Sequence, residues 1–212
     1  MSVTIFLVLC ALAVAGLLYA ERADRTALKW VFKPAASLAF ILAGIAAGAA
    51  DTAAGAAVLA GLVFCALGDI LLIPRSQAAF LAGMGAFAAG HAAYFSAFLI
   101  GGVSWSPAAV TAFALTGALS AGLLIWLRKG LGAMAVPVAL YALVISVMVA
   151  GGVAHWSAAR SADSAALAIA AAGFALSDVS VARDRFGGAG FINRLWGLPL
   201  YFAAQCLFAV SV

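Results

Sequence analysis

Two aspartates lie inside long apolar segments of this chain, and their side chains could do chemistry. Asp69 ends the stretch Gly61-Leu-Val-Phe-Cys-Ala-Leu-Gly-Asp, and Asp178 ends Gly173-Phe-Ala-Leu-Ser-Asp. An ionisable side chain at membrane depth is costly, so it usually faces a polar cavity that serves function. Two carboxylates in one cavity can separate into a protonated acid and a charged base. The pair therefore predicts acid–base catalysis or the binding of protons or cations.

The composition is that of a membrane protein. Of 212 residues, 67% are hydrophobic and 8% are charged, and the mean hydropathy is +1.21. A soluble domain is typically about half apolar and roughly 25% charged. The apolar runs reach about twenty residues, the length of a transmembrane helix rather than of a barrel strand. The sequence predicts an all-α polytopic bundle, with residues 1–212 forming a single integral membrane domain.

The apolar runs indicate eight transmembrane helices joined by short connections. They cover residues 3–20, 31–49, 53–73, 78–100, 107–127, 132–154, 163–182 and 193–211. Pro34 is interpreted as the start signal of the second helix, because proline is favoured in the first helical turn. The similarity of residues 65–69 to residues 174–178, four helices later, suggests a parallel four-plus-four repeat.

The basic residues predict the orientation of the bundle. With eight spans, ten of the eleven Lys and Arg residues lie on one side, and only Arg160 lies on the other. The positive-inside rule then places both termini outside the cytoplasm, in what we expect to be a bacterial inner membrane. Asp69 and Asp178 would both lie about 6–8 Å below the cytoplasmic ends of their helices. A shared cavity in the cytoplasmic half follows from that common depth.

Further polar residues accompany the aspartates. His91 and Tyr94 share one face of the fourth helix, and Tyr201 and Gln205 share one face of the eighth. His91 could take part in chemistry or simply form a hydrogen bond between helices. Lys33 could be a positive-inside anchor or could bind a lipid phosphate.

Several classes of function are not supported. The basic residues form no patch that would indicate a nucleic-acid partner, and the three cysteines are interpreted as small buried hydrophobic residues. Two histidines and no cysteine pair do not make a zinc site, so we predict no metal and no cofactor. No motif of a Ser hydrolase or of a nucleotide-binding loop fits the chain.

The order and spacing of six short motifs resemble the YhhN-like lysoplasmalogenase family. The motifs are Lys33-Pro34, Gly61 to Asp69, Phe80-x-x-Gly83-x-x-x-Phe87-x-x-x-His91-x-x-Tyr94, Tyr141-x-x-x-Ile145-x-x-Met148, Phe174-x-x-Ser177-Asp178 and Tyr201-x-x-x-Gln205. The resemblance extends from about residue 30 to the end of the chain. It implies an eight-helix membrane hydrolase that cleaves the vinyl ether bond of lysoplasmalogens, with a lysophospholipid and the bilayer as its partners.

The resemblance also implies roles for individual residues. Asp69 and Asp178 would be catalytic, assisted by His91. The substrate-binding residues would be Lys33, Tyr94, Tyr141, Ser177, Tyr201 and Gln205. The residues themselves leave two alternatives open: a proton- or cation-coupled transporter that uses the same aspartates as ion sites, and aspartates that only join helices. The sequence carries no signal for the oligomeric state, the headgroup preference or which aspartate is the acid.

Overall fold

The computed structural model describes residues 2–188 and 190–212, and within them every regular element is helical. The prediction of an all-α fold is confirmed for these residues. The helices are α1 (Val3–Arg22), α2 (Thr26–Ala46), α3 (Ala53–Leu71), α4 (Gln77–Ile100), α5 (Pro107–Leu131), α6 (Ala135–Ala159), α7 (Ala162–Ala182) and α8 (Phe191–Val210). Short turns of 3-10 helix (Ala49–Asp51 and Gly132–Met134) and of π-helix (Arg183–Gly187) adjoin them.

Among the residues that the structure describes, six helical stretches are long and apolar enough to cross a membrane. In that count α5, the following 3-10 turn and α6 form the single stretch Pro107–Ala159, and α8 is not included. The chain nevertheless turns at Gly132, whose φ is +49°, and α5 and α6 pack against each other on either side of it. The number of membrane crossings, eight, and the four-plus-four repeat remain predictions.

The start of α2 differs from the sequence prediction. Pro34 lies inside this helix, which begins at Thr26, so the prediction that Pro34 marks its start is wrong. The additional residues include Lys29, and both Lys29 and Lys33 are buried in the bundle, where they form ion pairs with carboxylates of neighbouring segments. Those ion pairs allow two lysines to be buried in a helix whose sequence looks like a charged connection.

The end of α3 also differs from the prediction. It ends at Leu71 rather than near residue 73, because Pro74 disfavours helical conformation in the residue before it. Asp69 is consequently two residues from the end of its helix, and Asp178 is four residues from the end of α7. Both carboxylates therefore lie close to the same end of the bundle, which we call the charged end. It contains the α1–α2, α3–α4, α5–α6 and α7–α8 connections.

Helix α8 lies in the interior and packs against α1, α2, α3 and α7, whereas α5 packs mainly against α6. The most extensive contact between helices is that of α3 with α4, where a Cβ on Gly61 would overlap the ring of Tyr94. Large apolar side chains on the outer faces are exposed, among them Leu12, Leu119 and Val136. Such a surface suits a lipid environment. The bundle thus holds its polar side chains between α2, α3, α4, α6, α7 and α8.

Candidate active site

Asp69 is buried, accepts two hydrogen bonds and forms one ion pair, all with side chains of two other helices. Its Oδ1 lies 3.2 Å from the Nζ of Lys33 in α2. Its Oδ2 accepts from the hydroxyl of Ser37, one helical turn beyond Lys33, and from the hydroxyl of Tyr201 in α8, each at 2.7 Å. One ammonium and two hydroxyl groups therefore surround this carboxylate.

Two further side chains, which lie outside the cavity, hold the Tyr201 hydroxyl in place through hydrogen bonds. Gln205 donates from Nε2 to the Tyr201 hydroxyl at 3.1 Å, and Tyr94 donates its hydroxyl to Gln205 Oε1 at 2.6 Å. Tyr94 and Gln205 are both wholly buried and do not line the cavity described below. Because Gln205 occupies the oxygen of Tyr201 as a donor, the hydroxyl hydrogen of Tyr201 points to Asp69.

Asp178 belongs to a second cluster on α4, α6 and α7. Its Oδ2 is 3.1 Å from the hydroxyl of Tyr141 and 3.8 Å from Nε2 of His91. His91 Nε2 lies 3.1 Å from the same Tyr141 hydroxyl, and His91 Nδ1 lies 3.2 Å from the sulfur of Met148. His91 is wholly buried, whereas 18% of the Asp178 side chain is exposed.

Aromatic rings connect the two clusters. The ring of Phe174 lies edge-to-face against His91, with centroids 4.4 Å apart, and against Tyr201 at 5.2 Å. Phe87 packs edge-to-face on both Phe174 and Tyr201. Edge-to-face contacts are the favoured geometry of aromatic pairs. The two clusters therefore share one packed wall, although their polar atoms belong to separate hydrogen-bond networks.

Both aspartates line one cavity of about 890 Å³. Lys33, Tyr141, Ser177 and Tyr201 also line it. Most of the wall that α5 and α7 contribute is apolar, with the side chains of Leu119, Leu123, Leu124, Leu127, Ala172, Ala175, Leu176 and Val179. The volume lies in the range of cavities that hold small-molecule ligands.

Ion pairs surround the cavity at the charged end. Lys29 contacts Glu21 at 3.0 Å and Asp24 at 2.9 Å, and Arg194 contacts Glu21 at 2.7 Å and Asp184 at 2.9 Å. These five residues come from α1, α2, α8 and the α1–α2 and α7–α8 connections, and all line the cavity. They form a rim with charges of both signs.

Asp24 is the most exposed of the five rim residues, and its electrostatics follow from its partners. The hydrogen bond from Lys29 is the main cause that lowers the pKa of Asp24 below its usual value of 3.8, and the charges of Lys29 and Arg75 lower it further. Since this carboxylate is exposed, salt in the solvent weakens these interactions.

The structure brings Asp69, Lys33, Tyr201, Gln205 and Tyr94 into one network. It brings Asp178, His91 and Tyr141 into the other. The Ser177 hydroxyl donates to the carbonyl oxygen of Phe174 in its own helix at 2.7 Å, so its hydrogen is engaged there.

The sequence does not single out Ser37, and it indicates no separate role for Met148. Serine and methionine are common in apolar helices and carry no signal of their own, although Ser37 stands four residues after Lys33. Within residues 2–188 and 190–212, no group of three or more His, Cys, Asp or Glu side chains could hold a metal ion.

Comparison with known proteins assigns the chain to a family. The model of the YhhN family matches residues 28–212, which is most of the chain. The chain belongs to the YhhN family. It is also 31% identical over 192 residues to lysoplasmalogenase TMEM86A of Bos taurus, an alignment that covers 86% of this chain and 72% of that protein. No solved structure gives a significant match. Its apolar helices and its relatives identify this YhhN family member as an integral membrane protein.

Proposed function

We propose that this YhhN family protein is a lysoplasmalogenase-like hydrolase embedded in the membrane. It would cleave the vinyl ether bond of a lysoplasmalogen with water and release a fatty aldehyde and a glycerophospho-headgroup. The family match and the lysoplasmalogenase relative support this class of activity. The observation that carries the proposal is that two aspartates line a single cavity whose rim is charged and whose side wall is apolar.

The lining of the cavity suits a lipid with one chain. Leucines of α5 and small or apolar residues of α7 offer a surface for a hydrocarbon chain, while the rim offers charges of both signs to a polar headgroup. A lysophospholipid has one hydrocarbon chain and a phosphate-containing headgroup. The substrate would enter with its chain among the helices and its headgroup at the charged end.

The reaction needs an acid, a stabilising anion and water. A protonated carboxyl group transfers its proton to the β-carbon of the vinyl ether, and the π electrons form the new C–H bond. The α-carbon becomes an oxocarbenium ion, which a neighbouring carboxylate stabilises as glycosidases stabilise a similar ion. Water adds to the α-carbon and gives a proton back to a carboxylate. The resulting hemiacetal separates into the aldehyde and the alcohol of the headgroup.

The other residues have supporting roles in this proposal. Lys33, which contacts Asp69 and lines the cavity, serves as the cation for the substrate phosphate as well. Tyr141, Tyr201 and Ser177 form the wall near the reacting bond. Tyr94 and Gln205 act through Tyr201, since they do not line the cavity.

The transporter alternative is not favoured, because a relative that the chain matches is named as an enzyme. The two alternatives differ in what becomes of the lipid. A transporter returns its lipid unchanged, whereas the hydrolase releases an aldehyde.

The test is aldehyde release from a lysoplasmalogen by the purified protein in detergent. We expect turnover by the parent protein and a decrease of about 100-fold or more in Asp69→Asn and in Asp178→Asn, since a positioned acid or base typically contributes that much. Asp163→Asn is the matched control, because Asp163 lies on α7 like Asp178 but in the exposed first turn. It should retain the activity of the parent protein.

A second substrate sharpens the test. The saturated alkyl ether analogue has no double bond to protonate, so the same preparation should leave it intact. A folded parent protein that releases no aldehyde would contradict the hydrolase proposal. Retained turnover in either catalytic variant would contradict the role of that aspartate.

A further inference from the structure

Helix α5 stands apart from α7 along most of its length. It packs against α6 and against the π-helical turn Arg183–Gly187, whereas its contact with α7 is at most marginal. Between Ala109 and Leu127, a stretch that the structure describes completely, no side chain of α5 is buried. The helix is therefore held by α6 and by the turn, and a gap remains between it and α7. We call this opening the α5–α7 gap.

The α5–α7 gap is the apolar part of the cavity that both aspartates line. Its walls are rows of side chains about one helical turn apart, namely Leu119, Leu123 and Leu127 of α5 and Ala172, Leu176 and Val179 of α7. Thr116 also lines the cavity, but its hydroxyl donates to the carbonyl oxygen of Ala112 in its own helix at 2.6 Å. The gap therefore suits hydrocarbon better than a polar group.

The gap opens on the outer surface of the bundle. Leu119 is 73% exposed and Leu176 is 55% exposed, although both line the cavity. Leucines that packed helices enclose on all sides would be buried. Both helices belong to stretches that are long and apolar enough to cross a membrane. The opening therefore faces the hydrocarbon chains of the bilayer.

The charged end of the cavity is closed by a ring of ionic contacts. Arg75 pairs with Asp24 of the rim at 3.0 Å. Arg185, which follows Asp184 of the rim in the chain, donates to the main-chain oxygen of Arg75 at 3.3 Å. These two arginines connect the ends of the rim. Charged groups need water or ionic partners, and a hydrocarbon chain offers neither, so a lipid chain must extend away from this ring.

The cavity is too short to enclose the whole chain of a membrane lipid. Ala172 is the lining residue of α7 farthest from the charged end, and it precedes Asp178 by six residues, or roughly 9 Å along the helix. A lipid chain spans one leaflet, which is about half of a hydrocarbon core of roughly 30 Å. A chain whose vinyl ether lies at the aspartates therefore extends beyond the cavity.

We propose that the α5–α7 gap is the subsite for the hydrocarbon chain of the substrate. The chain passes through the gap, and its far end lies in the bilayer. This subsite rests on the proposed hydrolase function, because it holds the chain of the same lysophospholipid whose vinyl ether reaches Asp69 and Asp178. The protein contacts the first part of the chain and leaves the rest to the surrounding lipid.

Photo-crosslinking in phosphatidylcholine vesicles locates the chain without any measurement of activity. The probe is an alkyl ether lysophospholipid, which the protein should leave intact, with a diazirine either beside the ether or midway along the chain. The diazirine beside the ether should label Tyr141 or Ile145, which line the cavity from α6. The diazirine midway along the chain should label Leu119, Ala172 or Leu176. An excess of the same lipid without diazirine should suppress both patterns.

Three other outcomes have distinct meanings. Labelling of the gap that the excess lipid does not suppress would show that bilayer lipid occupies it, and would overturn the proposal. Labelling of α2, α3 or α8 by the diazirine midway along the chain would also overturn it, because the chain would then remain inside the bundle. Suppressible labelling of the gap in a protein that releases no aldehyde would support the subsite and contradict the hydrolase function.

Leu119→Trp and Ala172→Trp test the subsite by filling the gap from either side. For a long-chain lysoplasmalogen in the same vesicles, KM should rise roughly tenfold, the effect of losing apolar contact with about two methylene groups. A short chain that ends inside the cavity should keep the KM of the parent protein. Leu115→Trp and Ile169→Trp are the matched controls, because these residues are exposed on the same helices but do not line the cavity. A parent-like KM for the long chain in both Leu119→Trp and Ala172→Trp would overturn the proposal.

Discussion

The buried pair of Lys33 and Asp69 is the residue-level feature that most constrains this protein. Removing two charges from water is costly, and an attraction at 3.2 Å offsets that cost only when other groups satisfy the remaining hydrogen bonds. Ser37 and Tyr201 do so for Asp69. The pair thus depends on three helices, and its disruption should be visible in the stability of the whole bundle.

We predict that Lys33→Met leaves Asp69 as an uncompensated buried charge. The free energy of unfolding should fall by on the order of 3–5 kcal/mol, the usual effect of removing one partner of a buried ion pair. It should appear as a lower midpoint of thermal unfolding in detergent, together with loss of turnover. Lys129→Met is the control, because Lys129 is exposed in the last turn of α5.

The double variant Lys33→Met with Asp69→Asn separates charge from packing. It should recover most of the lost stability without recovering activity, because no charge remains unpaired. If the double variant is as unstable as Lys33→Met alone, the interaction between these residues is not electrostatic.

At the scale of elements, close contact between α7 and α8 sets the geometry of the site. Asp178 and Tyr201 lie on these two helices. A Cβ on Gly197 of α8 would overlap the hydroxyl oxygen of Ser180 on α7. The absence of a side chain at residue 197 therefore keeps the two helices near enough to share the cavity.

We predict that Gly197→Ala forces α7 and α8 apart. Overpacking of this kind typically costs about 1–3 kcal/mol, and the site should lose turnover because the two clusters separate. Gly122→Ala in α5 is the matched control, since nothing lies within 4 Å of a Cβ there. It should be neutral, as alanine is the better helix former.

The stability of both glycine variants is measured by thermal unfolding, and their turnover is measured by aldehyde release. Adding Ser180→Ala to Gly197→Ala removes the overlapping hydroxyl and should restore part of the stability. A Gly197→Ala variant with the stability of the parent protein would show that the interface between α7 and α8 accommodates a methyl group without separating.

At the scale of the whole molecule, the polar part of the cavity lies at the charged end of the bundle. The rim of ion pairs, the ends of α3 and α7 and the start of α8 all lie there. The opposite end carries Arg160, and the outer faces of the helices are apolar. From the positive-inside rule we predict that the charged end faces the cytoplasm.

We predict that both termini lie outside the cytoplasm. A reporter protein fused after Lys129 should be on the cytoplasmic side, and reporters fused after Arg160 or at the C-terminus should be on the other side. The same fusions count the crossings made by α5, α6, α7 and α8. A cytoplasmic C-terminus would contradict the eight-span topology.

The sequence was informative where a property is local. An apolar composition and isolated charges within apolar runs indicated a membrane bundle. They also singled out Lys33, Asp69, His91 and Asp178 as residues that need partners. The start of α2 was predicted wrongly, because carboxylate partners stabilise the buried Lys29 and Lys33, and the local sequence does not reveal those partners. Those partners come from other segments of the chain.

The pairing of the polar groups was decided by the tertiary structure alone. Tyr201 and Asp69 are 132 positions apart, and Tyr94 and Gln205 are 111 positions apart. In helices that are apolar on every side, hydrophobic periodicity does not determine which face turns inward. Rotation and packing of the helices therefore determined that Lys33 contacts Asp69, that Met148 contacts His91, and that the two aspartates have different environments. The sequence determined which groups could carry the chemistry, and the packing decided how they are paired.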